Sequence, residues 1–412
     1  MHIQLPKTIP EFRKYLRDPF YSNSIFLTLG RFADIGFGFL FWVFAAHLYT
    51  VADVGIATAL ISSTGLVVSF SRLGFDTAII RFMPTYDHSR VFNTCLWLTT
   101  GTAVLIGVIY LAAIDFISPE IAFIKDHAPL FLLFVIVNAI TLTTGNALLS
   151  LRKANLKFIQ NLIMGVRVLL LLPLALLGSL GIFSSFGFAY LIAVIFAMIV
   201  IRNYVTPSLQ IDRQYISETF RFSYLNYLAN LLFSIPTFIM PILIVNLLGP
   251  EDAALYYVAF AIGNLALIIP DAMSTSFFVE GSHGINLRKG VVRNLAATYV
   301  FLVPVILLIV IFGDLLLGFF GNDYLVAFDL VKVIVVSSPF VAIYNLFTPL
   351  QNIRLKAGEV VIMSFIRFML LVGLSYVFLS WFGVIGAGYA WAVTYAILSL
   401  GIAVFVKWKG WI

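Results

Sequence analysis

Long runs of apolar residues alternate along this chain with short polar connectors that carry most of its charge. Each run approaches the ~20 residues an α-helix needs to cross a hydrocarbon layer about 30 Å thick. A helix is the form such a run must take, because it satisfies its own backbone hydrogen bonds where water is absent. Twelve spans are predicted, near residues 22–47, 54–71, 91–114, 128–150, 157–178, 184–204, 221–247, 254–279, 292–313, 325–348, 360–381 and 384–406. The expected fold class is an all-α integral membrane protein with about 12 transmembrane helices. Pro236, Pro241, Pro270, Pro304 and Pro339 fall inside spans. Interior prolines remove a backbone donor and kink helices. Ordinary kinking and hinges for alternating access both fit, and Pro236 with Pro241, in the seventh span, are the hinge candidates.

Composition agrees. The 412 residues are 61% hydrophobic and 11% charged, against about 25% charged in soluble domains. Forty phenylalanines suit lipid-facing and helix-packing positions. A lone cysteine, Cys95, excludes an internal disulfide or a multi-thiolate metal site. The five histidines have no ligand spacing, and no metal or cofactor is expected. The polar, basic N-terminus and long first run do not fit a cleavable signal peptide.

With the N-terminus in the cytoplasm, all but five of the 25 basic residues fall on that side. Lys125 lies in an outer connection, and Arg31, Arg167, Lys332 and Arg367 lie within spans. This asymmetry predicts a cell-membrane protein with both termini cytoplasmic. It assigns the net charge of +6 to topology rather than to nucleic-acid binding.

The two sets of six spans resemble a parallel repeat. "HLYTVADVGIA" (His47–Ala57) aligns with "NLLGPEDAALY" (Asn246–Tyr256) at an offset of 199, and "GFAY" (Gly187–Tyr190) with "GYAW" (Gly388–Trp391) at 201. Arg167 aligns with Arg367 at 200. The expected organisation is a cytoplasmic segment at 1–21, a six-helix lobe at 22–205, a cytoplasmic linker at 206–220 and a second lobe at 221–407. Such repeats are a transporter architecture with a site between the halves.

Charge at membrane depth is costly and points to function. Arg31 and Asp34 lie i, i+3 on one helix face. Snorkelling and substrate binding are both open to Arg31, and Asp34 is either its partner or a proton or cation site. For Arg167 and Arg367, holding carbonyls of neighbouring helices and contacting substrate both fit. Asp329 and Lys332 read as a local ion pair. At offset 199, Arg72 and Arg81 fall on Asp271 and Glu280, with the sign of charge reversed. These four residues are therefore cytoplasmic gate candidates, the arginines being free to meet an anionic headgroup when the gate opens. Routine positive-inside decoration is the alternative. Asn138, Asn146, Asn226, Asn230, Asn246 and Asn264 offer amides suited to sugars or to gluing helices together.

The stretch "AHLYTVADVGIATALISSTGLVVSFSRLGFDTAIIRFMP" (Ala46–Pro84) resembles the N-terminal signature of polysaccharide-export flippases of the O-antigen type. Asp53 and Gly55 supply an acidic turn after the first span, and Leu73, Gly74, Ala78, Arg81, Phe82 and Pro84 supply the motif after the second. The family belongs to the multidrug/oligosaccharidyl-lipid/polysaccharide superfamily, and the resemblance implies two lobes forming a V around a central cavity. It implies a lipid-linked oligosaccharide substrate, carried on a polyprenyl pyrophosphate and passed from the cytoplasmic to the outer leaflet, with Arg31, Asp34, Arg72, Arg81, Arg167 and Arg367 as cavity candidates. Membrane lipids, a coupling proton or sodium ion, and glycan polymerase or transferase machinery are the implied partners. A drug or cation antiporter of the same superfamily is the alternative. An enzyme is not expected, because the outer connections are too short to hold an acceptor. No phosphate-binding G-x-x-x-x-G-K-[ST] loop exists for an ATP-driven pump.

Overall fold

The structure, a computed structural model, describes residues 19–282, 287–354 and 356–408. Most of the predicted N-terminal segment, and Lys409, lie outside the described residues. The described chain is helical throughout. In order, the helices are α1 (Pro19–Leu48), α2 (Val51–Ser71), α3 (Phe75–Phe82), α4 (His88–Ile117), α5 (Ala128–Ser150), α6 (Ala154–Met164), α7 (Arg167–Leu170) and α8 (Ser179–Ile201). They continue with α9 (Arg213–Leu248), α10 (Pro250–Ser282), α11 (Leu287–Gly318), α12 (Phe328–Val336), α13 (Ser338–Ile353), α14 (Ala357–Phe382) and α15 (Ile385–Trp408).

Among the described residues, ten helices are long and apolar enough to cross a membrane. Asn322–Val336 and Ser338–Ile353 form a further pair, bent by 45°. That pair covers the predicted span 325–348. Pro339 sits in the first turn of α13, just past the bend, where a missing N–H costs nothing because the first helical turn lacks acceptors. The predicted span 157–178 is helical but segmented into α6, α7 and a 3-10 turn at Ala175–Leu177. Pro173 removes a donor there, and Gly178 turns at φ 55°. Pro236 and Pro241 both lie inside the continuous α9.

The helices gather into two compact units. Of the described residues, one unit takes those within Met1–Leu48, Val67–Ala113 and Ile124–Tyr227, and the other those within Tyr49–Leu66, Ile114–Phe123 and Leu228–Ile412. In the first unit, α1 packs on α6 and α7, and α8 packs on α5 and α6. A core of Phe75, Ile79, Phe92, Cys95 and Tyr215 fills one end of it. In the second unit, α14 and α15 form a hairpin and α10 packs on α11, α12 and α13. Its core is built around Tyr344, Phe347, Tyr395 and Leu398.

Candidate functional site

The polar cluster of the first unit grows from one face of α1. Gly30, Asp34 and Gly38 recur every fourth residue, so they share a stripe. The glycines let α6 and α7 approach closely. A Cβ on Gly30 would stand 3.4 Å from Asn161 Nδ2, and one on Gly38 would stand 3.6 Å from Arg167 Nη2. Between them, Asp34 Oδ2 accepts a hydrogen bond from Asn161 Nδ2 at 2.8 Å. Lys157 and Arg167 are the cations whose charges act on Asp34.

The helix α6 carries Lys157, Gln160 and Asn161 at i, i+3 and i+4, a polar face in an apolar helix. Lys157, one of the basic residues assigned above to the cytoplasmic side, turns against α5, its Nζ 2.8 Å from where a Gly145 Cβ would be. Gly145 is thus the residue that makes room for the ammonium. Gln160, fully buried, donates to Thr144 Oγ1 at 3.1 Å and to the Thr141 carbonyl at 3.4 Å. Gln160 Oε1, Asn161 Oδ1 and Arg167 Nε are buried without a protein partner. Buried polar atoms normally find one, so this cluster keeps hydrogen-bonding capacity in reserve. Its two cations outnumber its one carboxylate, and its spare amide oxygens suit hydroxyl donors.

The repeat-related arginines behave differently. Arg167 is buried with its guanidinium 5.5 Å from the Phe41 ring and 5.6 Å from the Phe186 ring. Arg367, in the second unit, is 3% exposed and its donors are engaged. Its Nε donates to Tyr395 Oη at 2.9 Å and its Nη1 to the Phe233 carbonyl at 3.0 Å, with the Phe233 ring 4.3 Å away. Of the two roles open to Arg367, this geometry is that of a brace between helices. Phe233 lies at offset 199 from Asp34, the residue on which the charge of Arg167 acts.

Arg31 is exposed, and the residue bonded to Asp34 is Asn161. The quoted motif folds as a helix–turn–helix. After α2 ends at Ser71, Leu73 (φ 48°) and Gly74 (φ 87°) reverse the chain into α3. Arg72 Nη1 pairs with Asp76 at 3.3 Å across that turn, and Nη2 donates to Ser69 Oγ at 3.2 Å. Arg81 is exposed over the Phe82 ring at 5.7 Å. Asp271 accepts from Asn345 Nδ2 at 2.5 Å. Glu280 lines a cavity of about 600 Å³ with Lys289, Arg293 and Asn294. Lys332 and Asp329 pair at 3.0 Å. Asn146 donates to the Asp76 carbonyl, and Asn246 to the Ile117 carbonyl, both as helix-to-helix ties.

Lys157, Gln160 and Asn161 are the residues that sequence reasoning left out. Their signal lies in the polar i, i+3, i+4 spacing of "LKFIQN" (Leu156–Asn161), of which a positive-inside argument accounts for Lys157 but not for the two amides.

The profile of the polysaccharide biosynthesis protein family matches residues 20–279. Comparison with curated protein sequences finds no match. Among solved structures, the lipid II flippase MurJ in an inward closed conformation is similar over 93% of this chain and 87% of its own, with a TM-score of 0.74 at 14% identity. An outward-facing multidrug resistance transporter of the MATE family, in the MOP superfamily, is similar over 96% of this chain and 97% of its own, with a TM-score of 0.63 at 16% identity. A MOP superfamily transporter from Pyrococcus furiosus is similar over 98% of both chains, with a TM-score of 0.62 at 16% identity. The fold is the one shared by these solved flippase and transporter structures. With its multi-pass membrane architecture and its profile match over more than half its length, the chain belongs to the polysaccharide biosynthesis protein family.

Proposed function

We propose that the chain is a flippase that moves a polyprenyl-pyrophosphate-linked oligosaccharide from the cytoplasmic to the outer leaflet of the cell membrane, by alternating access of lobes at 22–205 and 221–407. The observation that carries this is the cationic excess of the polar cluster in the first unit. Lys157 and Arg167 outweigh Asp34, and Gln160 Oε1, Asn161 Oδ1 and Arg167 Nε have no protein partner. Such a cluster attracts a pyrophosphate and disfavours a cationic drug. Arginine's planar fork suits phosphate oxygens, and the amide oxygens suit sugar hydroxyls. Asp34 restrains the cations between transport events and is the candidate site for a coupling proton or sodium ion. Glycan polymerase or transferase machinery would supply or consume such a substrate.

The test is reconstitution into liposomes with a fluorescent lipid-linked oligosaccharide. Transfer between leaflets well above protein-free liposomes supports the assignment. Absence of transfer, together with drug–proton exchange by the same preparation, overturns it in favour of the antiporter.

A further inference from the structure

The second unit contains an apolar cleft of about 490 Å³ between α11, α13 and α15. It runs between two hydrophobic clusters that do not merge. Phe347, Ile402 and Val406 belong to one, and Val291 and Leu350 to the other. Interiors are close-packed, so a gap of this size between buried apolar walls is a shaped feature of the surface.

Among the described residues, its only polar lining residues are Arg288 and Lys407. Arg288 is in the first turn of α11 and Lys407 in the last turn of α15, so both stand at one rim of the cleft. Both are exposed, and among the described residues no acidic side chain lines the cleft. Lys289 and Arg293, in the first two turns of α11, line a separate cavity together with Glu280. An apolar trough inside a membrane-spanning bundle, with a basic mouth at the helix ends, matches one kind of molecule. We propose that this cleft holds an anionic phospholipid of the surrounding bilayer, its acyl chain against Val291, Phe347 and Ile402 and its phosphate between Arg288 and Lys407. Basic pockets between membrane helices recognise anionic headgroups by this charge complementarity. The proposal does not depend on which substrate the chain carries.

Native mass spectrometry of the full chain, released from vesicles of equal phosphatidylglycerol and phosphatidylcholine, reads the occupant. The wild type is expected to retain phosphatidylglycerol in preference. The Arg288→Gln/Lys407→Gln variant should lose that preference by roughly thirtyfold, the surface-charge effect of two basic residues. Ala403→Phe, which fills the cleft from α15, should lose retained lipid of either kind. Equal retention of the two lipids by the wild type would overturn the proposal, as would Ala403→Phe with lipid retention intact. Added inorganic phosphate or polyprenyl pyrophosphate should leave the adduct in place. Displacement by the first would make the rim a simple anion site, and by the second a seat for the substrate's tail; either contradicts the proposal. Should Ala403→Phe not fold, the glutamine pair decides alone.

Discussion

Replacing Arg367 with Met separates a structural arginine from a functional one. The wild-type side chain is buried and gives two hydrogen bonds, at 2.9 Å to Tyr395 and 3.0 Å to the Phe233 carbonyl. A hydrogen bond involving a charged group contributes about 1.5–3 kcal/mol. The cation–π contact at 4.3 Å adds about 1 kcal/mol. Methionine avoids burying a charge, which offsets part of the loss, but it leaves the Tyr395 hydroxyl and the Phe233 carbonyl without that donor. The net expectation is destabilisation by about 3 kcal/mol. Arg167→Gln gives up two ring contacts, at 5.5 and 5.6 Å, and its attraction to Asp34, but no hydrogen bond among the described residues, and should cost about 1 kcal/mol. Thermal unfolding of the purified protein in one detergent, followed by tryptophan fluorescence, compares them. Arg367→Met should unfold well below wild type and Arg167→Gln close to it, whereas leaflet transfer should fail in Arg167→Gln. Equal destabilisation by the two variants, or a stable Arg367→Met, would refute the division of labour.

Gly145→Ala puts a Cβ 2.8 Å from the Lys157 ammonium; the flexible lysine end swings away, so transport should fall with little change in unfolding temperature. Gly74→Ala, at φ 87°, should destabilise by about 1–2 kcal/mol because an L side chain is strained in the left-handed region, measured by the same unfolding assay. Tyr86 Oη donates to Glu218 at 2.6 Å and, with Gln214, holds that carboxyl below its ordinary value of 4.5. A depressed carboxyl stabilises the fold above its unfolded value and loses that contribution as pH falls through the folded value. The stability gap between wild type and Tyr86→Phe should therefore be constant near neutrality and close below about pH 4.5, as followed by unfolding midpoints across pH.

Much of this architecture is legible in the apolar runs, because hydrocarbon dictates both helix length and helix form. The end of the second span at Ser71 and the charged turn after it also follow from the pattern. Partner choice does not. Arg31 and Asp34 share spacing on α1, yet Asp34 bonds to Asn161 because α6 packs on the glycine stripe and Arg31 stays exposed. Likewise Arg72 finds Asp76 within its own turn, a contact set by the positive φ angles of Leu73 and Gly74. Lys157 counts as a loop cation in any tally of charge, and only the packing of α6 against Gly145 brings it to the cluster. Breaks such as those between 164 and 179 are invisible to hydropathy, since the segmented stretch remains apolar.

In the proposed function, Lys157 and Arg167 of the first unit together receive an anionic headgroup. Leaflet transfer of a fluorescent lipid-linked oligosaccharide in liposomes, compared between wild type and Lys157→Gln/Arg167→Gln at equal incorporation, tests it most directly. Robust transfer by the wild type and near-background transfer by the correctly folded double variant are expected. Transfer by the variant at the wild-type rate would contradict it.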